Sequence, residues 1–460
     1  MSSQIVGSTG ILILLLCMPS VSTATAIALS WKDIGSRFKR RYSEFSPAKN
    51  GMHKAQLKAS LATNVRFDPV LSLDQEALVA GSSVKRRISI KQGSPWGSSL
   101  EVDFLNGPDA YKMLHEPDHS EEGKALTLTV SQELLKNGPY GAWATDRKAL
   151  LQRQIDEIEV KKVFERQLFN VLKTFLKIQV LLQHRDASVK ALDRVRDQTK
   201  DIQDLVSSGV SSSSDSLVAE ASEIKASLQV VAYDSQLKDA GEELAVSFFY
   251  DNPDQQFVFV RESLPSGLMA QLQKVSWSRD IPDLKLAELE AEVSRQALII
   301  AKRDELPSLK IGSQFTRFSS DDVDRGREIS RSIWIRFSMP LISGITRDAV
   351  SMAALNLDSS ELNLKMVQAE LKKEEIRLSR LNDIARKVLD GKKRVSAIKH
   401  KILEIEREKY LRGKLSILNL KTILDEVYEA DRELIDASEG YLLAKLELAE
   451  KVGKLATIFQ

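Results

Sequence analysis

The sequence predicts a mainly α-helical chain with a smaller β component, laid out as two structural repeats. Each repeat holds a long coiled-coil helical hairpin and two amphipathic strands. Three observations carry this. Two long tracts, 140–252 and 341–460, lack proline altogether, although the chain has twelve. Both tracts repeat their apolar residues every seven positions. Ahead of each tract the hydrophobic period changes to two, so helices and strands alternate in the same order twice.

The helical tracts come first because they are longest. Leu168, Phe175, Leu182 and Val189 form one row in the first tract, with Val171, Ile178 and Leu192 three residues further on. In the second tract Leu381, Val388, Val395 and Ile402 form one row, and Ile384, Ile398 and Ile405 the other. Two offset rows of period seven mark coiled-coil packing. A helix over 142–206 is about 95 Å long at 1.5 Å per residue. No compact domain needs that length, so the helices span a distance. Each tract is broken once, at Ser207-Ser208-Gly209-Val210-Ser211 and at Arg412-Gly413-Lys414-Leu415-Ser416. Gly permits a sharp reversal, and Ser or Asp caps the returning helix.

The strands read most clearly in the second half. Ile329, Ile333, Ile335, Phe337 and Met339 are apolar, while Glu328, Ser330, Ser332, Arg336 and Ser338 between them are polar, with Trp334 the exception. Leu309, Ile311 and Phe315 alternate similarly across a polar turn, so the pair reads as a β-hairpin with one apolar face. The first half echoes it more weakly: Pro69-Val70-Leu71-Ser72-Leu73 matches Pro307-Ser308-Leu309-Lys310-Ile311, and Leu126, Leu128 and Val130 alternate. Between them lies an insert at 74–123, where RRISI and SSLEVDF read either as further strands or as a loop. The expected organisation is a first repeat over 27–250, with strands within 69–135 and helices over 141–245. A linker follows over 251–275, where residues 247–260 are a candidate small strand. The second repeat runs over 276–460, with strands over 307–341 and helices over 346–456.

Composition excludes several chemistries. The 66 Lys and Arg balance 64 Asp and Glu to a net charge of +2, which offers no field for nucleic acid. The one cysteine, Cys17, lies in an apolar run within 1–26 that reads as a signal peptide ending at Ala24-Thr25-Ala26. Leu14-Leu15-Leu16-Cys17 also approaches a lipoprotein signal, but a small residue should precede the Cys. No later stretch is apolar enough for a transmembrane helix. His115-Glu116-Pro117-Asp118-His119 has metal-ligand residue types, yet Pro117 forbids a regular helical His pair, and it reads as a polar loop. His53, His184 and His400 stand alone and read as surface or interface residues. No phosphate loop or nucleophile elbow stands in a strand–helix context. The expectation is no enzyme, no cofactor and no metal.

Four strands with one apolar face cannot close on themselves. The period alone admits a small soluble sandwich packed on the helices, or a barrel completed by other copies. The exported leader and the disproportionate helices favour the barrel.

At this point the sequence resembles the outer-membrane efflux (TolC-like) family. The residues that carry the resemblance are Pro307-Ser308-Leu309, Ile333 to Phe337, Met339-Pro340-Leu341-Ile342-Ser343-Gly344 with Arg347, and the helix ending in Ala301-Lys302-Arg303-Asp304-Glu305-Leu306. Ser208-Gly209-Val210-Ser211 and Arg412-Gly413-Lys414-Leu415-Ser416 resemble the family's hairpin tips. The resemblance implies a homotrimer in the bacterial outer membrane: a 12-stranded β-barrel continued by an α-helical barrel across the periplasm. It implies a passive exit duct in a tripartite efflux or type I secretion system, docking through those tips to a periplasmic adaptor (membrane fusion protein) and an inner-membrane transporter. Ile329, Ile333, Ile335, Phe337 and Met339 are then the candidate residues facing outer-membrane lipid. Asp383 and Asp390 are candidates for a constriction, although they suit a solvated helix face equally. Trp96, Tyr140, Trp143 and Trp334 suit either an interfacial aromatic girdle or plain packing. The rivals are a periplasmic adaptor, which should carry one hairpin between compact β domains, and a coiled-coil envelope scaffold, which needs no amphipathic strands.

Overall fold

The computed structural model describes residues 27–45, 57, 60, 69–77, 84–94, 96–107, 123–136, 139–208, 212–248, 257–259, 262, 266–278, 280–320, 327–339, 344–412 and 414–459. Two helical hairpins dominate it. The first is α2 (Pro139–Ser207, 69 residues) and α3 (Ser213–Ser247, 35 residues). The second is α6 (Gly344–Leu411, 68 residues) and α7 (Ile417–Lys451, 35 residues). At 1.5 Å per residue the outgoing helices are about 100 Å long and the returning ones about half that. The internal duplication is therefore carried into helix lengths that agree to one residue. Ser416 caps α7, its hydroxyl accepting from Asn419 N at 3.3 Å.

The four helices lie side by side in the order α3, α2, α7, α6, each packing on the next. The remaining upper length of α6 and α2 is covered by α5 (Pro282–Asp304), whose first turn carries proline where the missing N–H costs nothing. An apolar core joins the two hairpins at mid-height. Trp31, Ile34 and Phe38 of the segment containing α1 (Ile34–Phe45) sink between α2 and the C-terminus. Trp31 meets Phe175 edge-on at 4.8 Å, and Phe38 stacks on Phe164 at 5.7 Å and meets Phe248 at 5.8 Å. Phe459, beyond the short helix α8 (Leu455–Ile458), closes this core so tightly that a Cβ on Gly35 would lie 1.9 Å from its backbone oxygen.

The described residues form two sheets. β1 (Ile27–Leu29) pairs in parallel with β6 (Phe257–Phe259), the small strand expected between the repeats, and α4 (Ser266–Lys274) follows. The larger sheet has six antiparallel strands in the order β2-β3-β4-β5-β7-β8. These are β2 (Val70–Ala77), β3 (Val84–Gly93), β4 (Ser98–Gly107), β5 (Gly123–Glu133), β7 (Ser308–Ser320) and β8 (Arg327–Ser338). The expectation of two strands per repeat holds for the second repeat and fails for the first, which contributes four. The insert is a strand hairpin: RRISI lies in β3 and SSLEVDF in β4. Its alternation escapes a coarse reading because Arg87, Lys91, Glu101 and Asp103 stand between the apolar positions and read as loop. The sheet thus holds six strands of one chain among the described residues, where the resemblance implies four.

Candidate channel wall, seams and hairpin tips

The sheet is two-faced, although Arg317 of β7 and Arg331 of β8 interrupt its apolar face, where the Arg331 guanidinium sits 5.7 Å over the Phe315 ring. Register aligns Leu71, Ile90, Val102, Leu128 and Phe315 in one transverse row, and Leu73, Ile88, Phe104 and Leu126 in the next. All but the partly covered Val102 are exposed. On β8 the predicted set Ile329, Ile333, Ile335 and Phe337, with Met339 just beyond, is exposed on that same face, Ile333 to 83%. The opposite face is polar. Arg87 donates to Asp103 Oδ1 from Nε at 3.0 Å and Nη2 at 2.8 Å, while Lys91 lies 3.9 Å from Glu101. Thr127 and Thr316 join hydroxyls at 3.1 Å in a buried pair. Glu133 is held by the Ser308 hydroxyl at 2.9 Å and Leu309 N at 3.1 Å, with Lys310 Nζ at 3.7 Å, tying the two repeats where the sheet meets the helices.

Trp334, the exception to the alternation, points to this polar face and fills the space over Gly312, where a Cβ would lie 2.4 Å from the indole. The Arg336 guanidinium sits 5.0 Å over the same ring. Trp96 and Trp143 are exposed to 71% and 59%, near the end of the sheet that joins the helices. The side chain of Tyr140 lies outside the described residues.

The helical layer also leaves one kind of face bare. Exposed Ile384, Val388, Val395, Ile398 and Ile405 repeat in heptads along α6, and exposed Leu217, Ile224, Leu228 and Val231 do so along α3. These helices are the two edges of the four-helix layer, they run in opposite directions, and both stripes begin within a few residues of the tips. The polar seam between the repeats was not legible beforehand. His184 of α2, buried and stacked on Tyr233 at 5.6 Å, places Nε2 2.8 Å from Asp436 Oδ1 of α7, and Ser188 shares a hydrogen bond with Tyr428 at 2.8 Å. Burial, with Asp436 beside it, pushes the Glu439 carboxyl above the usual range. His400 bonds Asp431 at 3.0 Å within the second hairpin. Both histidines are thus interface residues.

At the tips, Ser208 ends α2 with its hydroxyl on Asp204 O at 3.0 Å; Gly209, Val210, Ser211 and Gly413 lie outside the described residues. Arg412, Lys414 and Ser416 are exposed and Leu415 partly so, with Lys414 N donating to Lys409 O at 2.9 Å. Asp383 and Asp390 are exposed on α6, about 42 and 32 Å from its end at 1.5 Å per residue, so they lie well above the tip. The His115–His119 loop and His53 lie outside the described residues. Among the described residues no group of three or more His, Cys, Asp or Glu could hold a metal ion, and no helix is long and apolar enough to cross a membrane. The latter says nothing of a β-barrel.

Among the described residues the sheet exposes its apolar face and leaves β2 and β8 unpaired at its edges, and the helical layer exposes apolar stripes along both of its edges. Solved structures share this fold. The chain is similar to the outer membrane protein VceC of Vibrio cholerae, at 14% identity over 92% of this chain and 96% of that one, with a TM-score of 0.64. It is similar to CusC, a protein described as forming a transmembrane channel, at 14% identity over 93% of each chain and a TM-score of 0.62. The Campylobacter jejuni CmeC outer membrane channel follows at 14% identity over 98% and 94% of the two chains, TM-score 0.58. No family model and no curated protein matches the chain. The fold is therefore that of the TolC-like outer-membrane efflux channels, retained where sequence identity has nearly vanished.

Proposed function

We propose that this chain is the outer-membrane channel subunit of a tripartite efflux or type I secretion system. It is a passive duct from the periplasm to the exterior for substrates delivered by an inner-membrane transporter. The observation that carries this reading is the bare apolar face of the sheet, with its polar face turned the other way. An exposed apolar band on an antiparallel sheet is costly in water and favourable in lipid, whereas the polar face suits a hydrated lumen. Ile329, Ile333, Ile335, Phe337 and Met339 meet lipid in this reading.

Copies of the chain complete the structure, three in number, as a homotrimer. The α3 stripe of one copy meets the α6 stripe of the next, since both are heptad seams of opposite direction. The tips, around Ser208 and over Arg412 to Ser416, then project about 100 Å from the sheet and receive the periplasmic adaptor. Asp383 and Asp390 face the helical duct rather than its mouth, as a polar lining. The chain performs no chemistry, and the pump supplies the energy. An adaptor would not need the six-stranded two-faced sheet.

Planar-bilayer recording tests the reading. The detergent-purified chain is expected to give discrete ion currents without nucleotide or any other energy source. A protein that leaves the bilayer silent and partitions into the soluble fraction would contradict it.

A further inference from the structure

We infer that three copies close an eighteen-stranded barrel, with β8 of each copy paired to β2 of the next. This rests on the channel reading above and departs from the twelve strands that the resemblance implies. The first observation is length. β3 and β4 have ten residues each, the span of about 9–11 residues that a tilted strand needs to cross a bilayer. The second is facing. Ile88, Ile90, Leu100 and Phe104, with the partly covered Val102, stand in register with Leu126, Leu128 and Val130 of β5, and through Leu128 with Phe315 of β7. A hairpin lying in water outside the wall would have no reason to expose four large apolar side chains on that face. Meanwhile Arg87, Ser89 and Asp103 turn to the lumen side, where the Arg87–Asp103 pair is made.

The third observation concerns the edges. Within the six-stranded sheet, β2 and β8 are the strands without a second neighbour among the described residues, and unpaired backbone groups cannot remain in hydrocarbon. Six antiparallel strands leave edges that run in opposite directions, so β8 meets β2 of the next copy antiparallel, with no crossover. Leu71 and Leu73 of β2 then lie on the same outward face as Ile329 and Ile333 of β8. Barrel diameter grows roughly in proportion to strand number, so the wall is about 1.5 times as wide as one of twelve strands, with about twice the cross-section.

Cysteine cross-linking in membranes tests this, in a Cys17→Ser background. Ile333→Cys is combined in turn with a cysteine at each residue from 70 to 77 on β2, or from 98 to 107 on β4, and chain-to-chain links are read on a denaturing gel. Links from β8 to outward β2 positions, and none to β4, are expected. Links to β4 would place β2 and β3 outside the wall and leave twelve strands; links to neither would overturn the proposed edge. Excision of residues 84–107 supplies an independent readout, since it leaves four strands of the right parity. The three-copy mass should survive while single-channel conductance falls about twofold; an unchanged conductance would overturn the wider wall. A mass other than three copies in the full chain would sink the channel reading and the number eighteen together. Three copies with β4–β8 links would sink the eighteen strands alone.

Discussion

The heptad seams of α2 and α6 are written alike and used differently. Along α2, Leu168, Val171, Phe175 and Ile178 are all within 1% of complete burial, packed on α1, α3 and the C-terminal segment of the same chain. Along α6, Ile384, Ile398 and Ile405 are more than half exposed, although they repeat with the same period. Within its own hairpin α6 buries a different face, through Leu371, Leu378 and Leu389. Periodicity reports that a helix has a face to cover. It does not report whether the cover comes from the same chain. The first seam is covered within the chain, and the second is the one that the proposed trimer would cover with another copy.

Substitutions should separate the two roles, the largest effect first. Phe175→Ala opens a cavity where Trp31 and the core meet, and should cost about 3–5 kcal/mol, seen as loss of the folded protein in thermal unfolding followed by circular dichroism. Gly35→Ala drives a methyl into the Phe459 carbonyl, which cannot rotate away, and should cost about 3 kcal/mol in the same assay. Ile398→Asp should shift each chain's own stability by only about 0.5 kcal/mol while abolishing the three-copy mass. If it unfolds the chain instead, the two seams do not divide as argued.

Charge gives smaller effects. Glu165 is buried on α2 and accepts from Ala456 N with both oxygens at 3.2 Å, and burial raises its carboxyl above the usual range. A raised folded pKa means that the native state holds the proton more tightly than the unfolded chain. Its stabilising share is thus complete below the ordinary value of about 4.3 and is lost as pH rises through the folded one. Glu165→Gln keeps an acceptor without the charge, so it should flatten that slope and raise stability at pH 7; an unchanged pH profile would show the burial to be without consequence. Arg377, half exposed between Glu374 at 2.8 Å and Glu447 at 2.5 Å, should matter least, with Arg377→Ala costing under about 1 kcal/mol.

Long-range periodic features were legible in the sequence. The two hairpins, their turns and the β7–β8 pair follow from spacing alone, because Ile333, Ile335, Phe337 and Met339 recur at every second position. β3 and β4 were legible only as strands or loop, because a strand with charge on one face and only two or three apolar residues on the other resembles a polar loop until a neighbour gives it register. Trp334 looked like a break in the pattern because its partner is an absence, the missing side chain of Gly312. The His184–Asp436 seam joins residues 252 apart, and no local signal relates them.

The proposed channel requires that the bare faces be covered by lipid and by other copies. The mass of the membrane-extracted chain, measured by light scattering and corrected for bound detergent, tests this most directly. Three chains within a detergent belt are expected. A detergent-free single chain from the soluble fraction would contradict the channel and return the sheet to an ordinary domain.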